Sequence, residues 1–210
     1  DRGLCGGFNT NASRQAVRMM QDAARDGIEI DLICVGKKGV SYCSHRGFEP
    51  RAVLDAPASD TIVSVAAQAM QHCQALFTGE GDGQADKVHL VFNRFKNVIT
   101  QEVVSEQLLP VNPEDLIAAA EDSNSVRSYE PSVSDLLAHL VPVAVETQLQ
   151  QAFFNSVAAE LAARRMAMDS ATDNAGELIK ELTLMYNRER QAAITTELME
   201  IVGGSEALKG

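Results

Sequence analysis

From about Ser134 to Val202, apolar positions recur at helical spacing and predict one helix over the last third of the chain. At 1.5 Å per residue such a helix runs about 100 Å. A compact domain made from the remaining residues cannot cover that length, so most of the helix must pack on something else. Ser132 to Asp135 forms a capping box with Asp in place of Glu, which sets the start. Pro142 is expected to kink or interrupt the first turns. Gly176 costs about 1 kcal/mol relative to Ala without stopping the helix, and Gly203-Gly204 is expected to end it.

The rest of the chain alternates shorter rhythms. A glycine-rich stretch, Gly3 to Gly7, leads into a helix that Asn9, Thr10 or Asn11 can cap. Ala16, Met19, Met20, Ala23 and Ala24 mark its apolar face, and Gly27 is its stop. Ile28 to Val35 predicts a strand, broken by Gly36-Lys37-Lys38-Gly39, with a short helix over Val40 to Arg46. Phe48 to Leu54 predicts a second strand. Ser59 or Asp60 opens a helix that buries Ile62, Val63, Ala66, Ala69, Met70, Cys73 and Leu76, and the glycines at 79, 81 and 83 close it. Lys87 to Phe95 and Val98 to Leu109 predict a hairpin across Lys96-Asn97. Asn112 to Ser128 is polar and acidic and predicts a surface loop, with a helical turn at Asp115 to Ala120. Strands alternating with helices place residues 1–131 in the α/β class, and residues 132–210 form the long helix.

The long helix has internal structure. Ala158, Ala159, Ala162, Ala163, Ala167 and Ala171 are small enough to let another helix approach closely, and Met166 and Met168 fill gaps. Leu178, Leu182 and Met185 fall at i, i+4 and i+7, and Ile194, Leu198 and Ile201 repeat that spacing as a coiled-coil-like seam. Asn187-Arg188-Glu189-Arg190-Gln191 interrupts the seam with long polar side chains. On an isolated helix that is a solvated stretch. Between two apolar seams it suits a shaft that also meets a polar surround.

Composition narrows the function. Hydrophobic residues make up 45% of the 210, enough for a core, and the formal net charge is -11. Nucleic acid and anionic lipid both need clustered cations, so neither is an expected partner, whereas basic protein surfaces remain open. There is no run of 18 or more apolar residues to span a membrane. The chain begins at Asp1 without Met, and material is expected to precede it. Cys5, Cys34, Cys43 and Cys73 include no C-x-x-C pair, so neither zinc nor a redox pair is suggested. Cys34 and Cys73 are expected in or near the core. A reducing compartment is the default.

Gly3-Leu4-Cys5-Gly6-Gly7 satisfies a thiol version of the nucleophile elbow. A hydrolase built on Cys5 would also need a strand before it and an Asp and a His nearby, none of them evident; the alternative is a tight turn in which the cysteine simply fits. No phosphate-binding glycine motif is present, so no nucleotide cofactor is expected. Glu114-Asp115 and Glu121-Asp122 are read as solvated surface.

Glu160-x-x-Ala163-Arg164-x-Met166-Ala167-Met168-x-x-Ala171-Thr172-Asp173-Asn174-Ala175 resembles the C-terminal helix of the gamma subunit of F-type ATP synthases. The stretch from Leu182 through Tyr186-Asn187, Arg190-Gln191-Ala192, Ile194-Thr195 and Glu197-Leu198 to Ile201-Val202 also resembles it, as does the opening Asp1 to Gly7. The resemblance spans essentially the whole chain. It implies a small Rossmann-like α/β domain at the foot of a rotor, with a very long C-terminal helix that forms an antiparallel coiled coil with an N-terminal one. It implies a non-catalytic subunit that couples proton flow to ATP synthesis or hydrolysis. The implied partners are an alpha–beta hexamer, epsilon and the ring of c subunits, without direct membrane insertion. By motif position, Arg190, Gln191, Thr195 and Glu197 are implied to face loops of the beta subunits. The family's N-terminal helix and the strand after it would precede Asp1, so the helix from Val157 onward is expected to lack its partner. No cysteine-bearing insertion of the chloroplast kind is present, and thiol regulation is not expected. The Gly6-Gly7 and Tyr129-Glu130-Pro131 variants point to a bacterial form, on the cytoplasmic face of the inner membrane rather than the mitochondrial matrix face. The competing readings are the Cys5 thiol hydrolase and a homo-oligomeric coiled-coil scaffold.

Overall fold

The computed structural model describes residues 2–79, 84–111 and 132–208. The loop expected over 112–128, with its turn at 115–120, lies outside them. The chain divides into two compact units, Asp1–Met166 and Ala167–Gly210.

The first unit opens with α1, Phe8–Arg25. Asn9 does not cap it: Gly7 is the N-cap residue, and the Asn9 amide instead donates to the Arg2 carbonyl at 3.1 Å and to Cys5 Sγ at 3.2 Å. The buried stripe is Ser13, Val17 and Met20, with Ala24 outside, so the apolar face is rotated from the expected one. α1 ends as its glycine predicts. Gly27 adopts φ +72°, Ile28 N–H bonds the Ala23 carbonyl at 2.9 Å, and Gly27 N–H bonds that of Ala24 at 3.3 Å. That doubled bond closes the last turn in a Schellman motif.

β1 is Ile33–Val35 and β2 is Ala52–Leu54, paired in parallel and joined through α2, Lys37–Ser44. Both strands are shorter than the eight and seven residues expected. Pro50 has no N–H for a ladder and shortens the second strand from its N-terminal side. With only three residues to pair against, Ile28 to Leu32 stays outside the ladder, and Ile28 and Ile30 are exposed. α2 also begins earlier than expected. Gly36 takes φ +91°, which only glycine adopts freely, and the helix starts on the next residue.

α3, Ile62–Thr78, buries Ile62, Val65, Ala66, Ala69 and Cys73 and stops at Gly79 in the left-handed region. Val63, expected inside, points out; Val65 takes its place. β3, Val88–Phe95, and β4, Gln101–Leu109, form the expected antiparallel hairpin, with Phe95 opposite Gln101. Its turn is held by Asn97, whose side-chain oxygen accepts the N–H groups of Ile99 and Thr100 at 3.0 and 2.7 Å.

α4 runs Val133–Ala207. The N-cap half of the capping box forms: Ser132 Oγ accepts Asp135 N–H at 3.1 Å, while the Asp135 carboxylate accepts the Ser132 hydroxyl at 2.7 Å. Pro142 does not interrupt the helix. Pro142 and Ala138, whose carbonyl it cannot bond, are both exposed to water, while Val141, Val145 and Leu149 pack into the core on the other side. Gly203 and Gly204 do not end it either. Neither takes a positive φ, and a glycine in the helical region only weakens a helix.

One core joins Leu54 of β2, Val65, Ala66, Ala69 and Cys73 of α3, Leu108 and Leu109 of β4, and Val145 and Leu149 of α4. A second, smaller one gathers Val17 and Met20 of α1 with Cys43 of α2. Ala152, Ala159 and Ala162 continue the buried stripe of α4 with side chains small enough for close approach. Of the small residues noted from Ala158 to Ala171, Ala159 and Ala162 are thus covered, although the helix from Val157 onward was expected to lack its partner, and Ala171 is exposed.

Candidate interaction surface

Cys5 does not stand as a nucleophile. It is 2% exposed, its thiol lies 3.6 Å from the Arg2 carbonyl, and its other polar neighbour is the Asn9 amide. A nucleophile elbow presents its side chain to substrate beside a base. Here the side chain is covered, and neither polar contact is a base. Leu4, not Cys5, takes the left-handed backbone, at φ 62°, as the chain turns into α1. The tight-turn alternative describes this loop.

The other three cysteines are buried as well. The fold sets Cys43 of α2 beside Cys34 of β1, close enough for each thiol to shift the other. Burial first, then the neighbouring Cys43, pushes the Cys34 thiol from its ordinary 9.0 up to about 12. Cys43 is also raised by burial, against the opposing effects of the Cys34 hydrogen bond and Arg46. Burial alone raises Cys73. All three are therefore held as neutral thiols. Among the described residues, no group of three or more His, Cys, Asp or Glu is arranged to hold a metal.

The second unit carries the surface that the helix pattern singled out. Leu178, Leu182, Met185, Ile194, Leu198 and Ile201 are all exposed, at 49 to 68%. Soluble chains do not usually leave a regular apolar stripe open to water. Arg190, Gln191, Thr195 and Glu197 are exposed within that stretch. Thr195 Oγ1 donates to the Gln191 carbonyl at 2.8 Å and so satisfies itself within the helix. Thr172, Thr183 and Thr196 do the same with Met168, Ile179 and Ala192. Arg190 and Glu197 make no ion pair among the described residues, so their charges are free to meet another chain. The geometry thus brings the four residues onto one stretch of helix within two turns. No helix among the described residues is long and apolar enough to cross a membrane.

Sequence reasoning missed one feature elsewhere. Arg14 and Arg18 of α1 and Lys96 of the hairpin turn line one groove with Asn11, Gln15, Thr100 and Gln101. The signal was present as two arginines four apart with no acidic residue placed to pair both.

Comparison with known proteins agrees with the resemblance. A family model described as ATP synthase matches residues 1–208. The ATP synthase gamma chain of Trichlorobacter lovleyi is 43% identical over 211 residues, covering 100% of this chain and 71% of that one. That of Prosthecochloris aestuarii is 42% identical over 214 residues with the same coverage. The central stalk and c-ring structure of the Tetrahymena thermophila mitochondrial ATP synthase matches with TM-score 0.59 and 26% identity, covering 82% of this chain and 72% of that chain. A Euglena gracilis mitochondrial ATP synthase structure (OSCP/F1/c-ring, rotational state 3) shares the fold with TM-score 0.68 and 22% identity, over 99% of this chain and 70% of that chain. Matched along nearly all its length and more than 40% identical to bacterial gamma chains, this chain belongs to the ATP synthase gamma-chain family.

Proposed function

We propose that this chain is the central-stalk rotor of an F-type ATP synthase. It couples transmembrane proton flow to ATP synthesis or hydrolysis on an alpha–beta hexamer by turning within it, and it carries no catalytic group. The observation that supports this best is the stretch beyond Ala167, a helix with an apolar seam open to water and a polar girdle in which Arg190 and Glu197 make no ion pair among the described residues. Such a stretch gains stability only when another chain surrounds it.

The mechanism follows from asymmetry. A shaft whose faces differ favours a different conformation in each subunit around it, and each change of nucleotide affinity requires contacts that differ between those conformations. Arg190, Gln191, Thr195 and Glu197 supply such contacts to loops of the beta subunits. The long polar side chains of Arg190, Gln191 and Glu197 make directional bonds that tell one rotational position from another, whereas the apolar seam binds without directional preference. Residues 1–131 form the foot that meets epsilon and the c ring, and 132–210 form the shaft. The complex sits peripherally on the cytoplasmic face of a bacterial inner membrane.

The exposed seam favours one second reading, a coiled-coil scaffold made of copies of this chain. Co-expression with alpha and beta subunits separates the two. The rotor reading expects the chain to co-purify with the hexamer in substoichiometric amount, one per three beta subunits, and to restore coupled ATPase activity. A chain that self-associates and leaves the hexamer unoccupied overturns it.

A further inference from the structure

We infer that the groove between α1 and the β3–β4 turn is a docking site for an acidic polypeptide segment, recognised by Arg14 and Arg18. The groove has a volume of about 480 Å³ and lies wholly within the first unit. Arg14, Arg18 and Lys96 face one carboxylate in it, Glu102, in a chain whose formal net charge is -11. Glu102 is taken up by Lys96 at 2.6 Å. Asp22, one turn beyond Arg18, is taken up by Arg25 at 2.9 Å. Among the described residues the two guanidinium groups are thus left without a counter-ion, one turn apart on the same helix face. Like charges at that spacing repel, so the pair costs stability that a ligand would recover.

The lining fits carboxylates on a chain. Each guanidinium can grip one carboxylate through two parallel N–H bonds. The amides of Asn11, Gln15 and Gln101 and the hydroxyl of Thr100 surround them and can bond a peptide backbone. Residues four apart on a helix are about 6 Å apart. Alternate side chains of an extended segment are separated by nearly the same distance. The occupant is therefore an extended stretch with acidic residues at i and i+2. A polyphosphate fits less well, because it packs its negative charges more densely than the spaced cations here can match, and Glu102 stands beside them.

The test uses the full chain and a fluorescent peptide of alternating Glu and Ala, read by anisotropy at low and physiological salt. Binding should weaken as salt rises. The double variant R14Q/R18Q should bind at least about tenfold more weakly, while K38Q, at an exposed lysine of α2 outside the groove, should bind as the parent does. Circular dichroism confirms that the exposed substitutions leave the fold intact. The proposal is overturned if the peptide fails to bind at low salt, or if R14Q/R18Q binds within twofold of the parent. It is equally overturned if tripolyphosphate displaces the peptide at a lower concentration than the unlabelled peptide does.

Discussion

Asn155 of α4 is bonded to the end of β3: its side-chain oxygen accepts the backbone N–H of Phe95 at 3.3 Å, while its amide donates to the Gln151 carbonyl at 2.9 Å. Sixty positions apart in sequence, the two residues fix where the long helix crosses the hairpin. Asn155→Leu should remove the acceptor and leave the Phe95 N–H poorly satisfied, at a cost of about 1 to 2 kcal/mol. Urea denaturation checks this. Asn155→Asp, which keeps the acceptor oxygen, should cost less than the Leu variant.

The same substitution at two points of α4 should have opposite weight. Leu149 is 2% exposed and packs against β4 and α3. Leu149→Ala should cost about 2 to 5 kcal/mol through lost burial and the cavity left behind. Leu182 is 52% exposed. In the isolated chain Leu182→Ala should change the unfolding free energy by less than about 0.5 kcal/mol. Equal losses at the two sites would mean that the seam around Leu182 is already covered.

The contrast between Leu149 and Leu182 also marks what the sequence could and could not reveal. Both sit at helical spacing, and periodicity alone assigns both to an apolar stripe. Only the fold says which stripe has a partner. The hairpin was legible because Val88, Leu90, Val91 and Phe92 favour strand and Lys96-Asn97 supplies the turn between the two runs. The strands β1 and β2 were overextended, since strand length depends on what pairs with the strand and Pro50 limits that. The α4 boundary at Ala207 was missed because Gly203 and Gly204 mark an end only when the backbone takes the left-handed turn. The girdle around Arg190 was legible as an interruption, while the groove at Arg14 and Arg18 needed Lys96 and Gln101, which only folding brings near.

Cys34 supplies a pH dependence. Its thiol is raised from 9.0 to about 12, first by burial and then by Cys43. A raised folded-state value means that the native chain holds the proton after the unfolded chain has released it. Cys34's contribution is thus fully present below pH 9 and is lost as pH climbs through the interval from 9 towards 12. Unfolding free energies measured from pH 8 to 11 should fall, and Cys34→Ala should fall less steeply than the parent over that window. At pH 8 the native chain should resist iodoacetamide at Cys34, because the thiolate is the reactive form. An identical alkaline decline in the parent and in Cys34→Ala would remove Cys34 as a source.

Arg190 and Gln191 should separate stability from coupling. Both are exposed, and Arg190 makes no ion pair among the described residues. The double substitution R190A/Q191A should therefore move the unfolding free energy of the isolated chain by no more than about 0.5 kcal/mol. Alanine also favours helix, so the backbone has no reason to fray there. In the assembled complex the same change would delete the directional contacts offered to the surrounding subunits. A contact to a charged group is worth about 1.5 to 3 kcal/mol, and a loss of that size in only one rotational position would slow coupled ATP turnover by about ten- to a hundredfold. Thr195→Val should act more weakly, because its hydroxyl is already spent on the Gln191 carbonyl. Reconstituted complexes carrying R190A/Q191A at unchanged turnover would place the bearing surface elsewhere on the helix, and a matching loss of chain stability would make the pair structural.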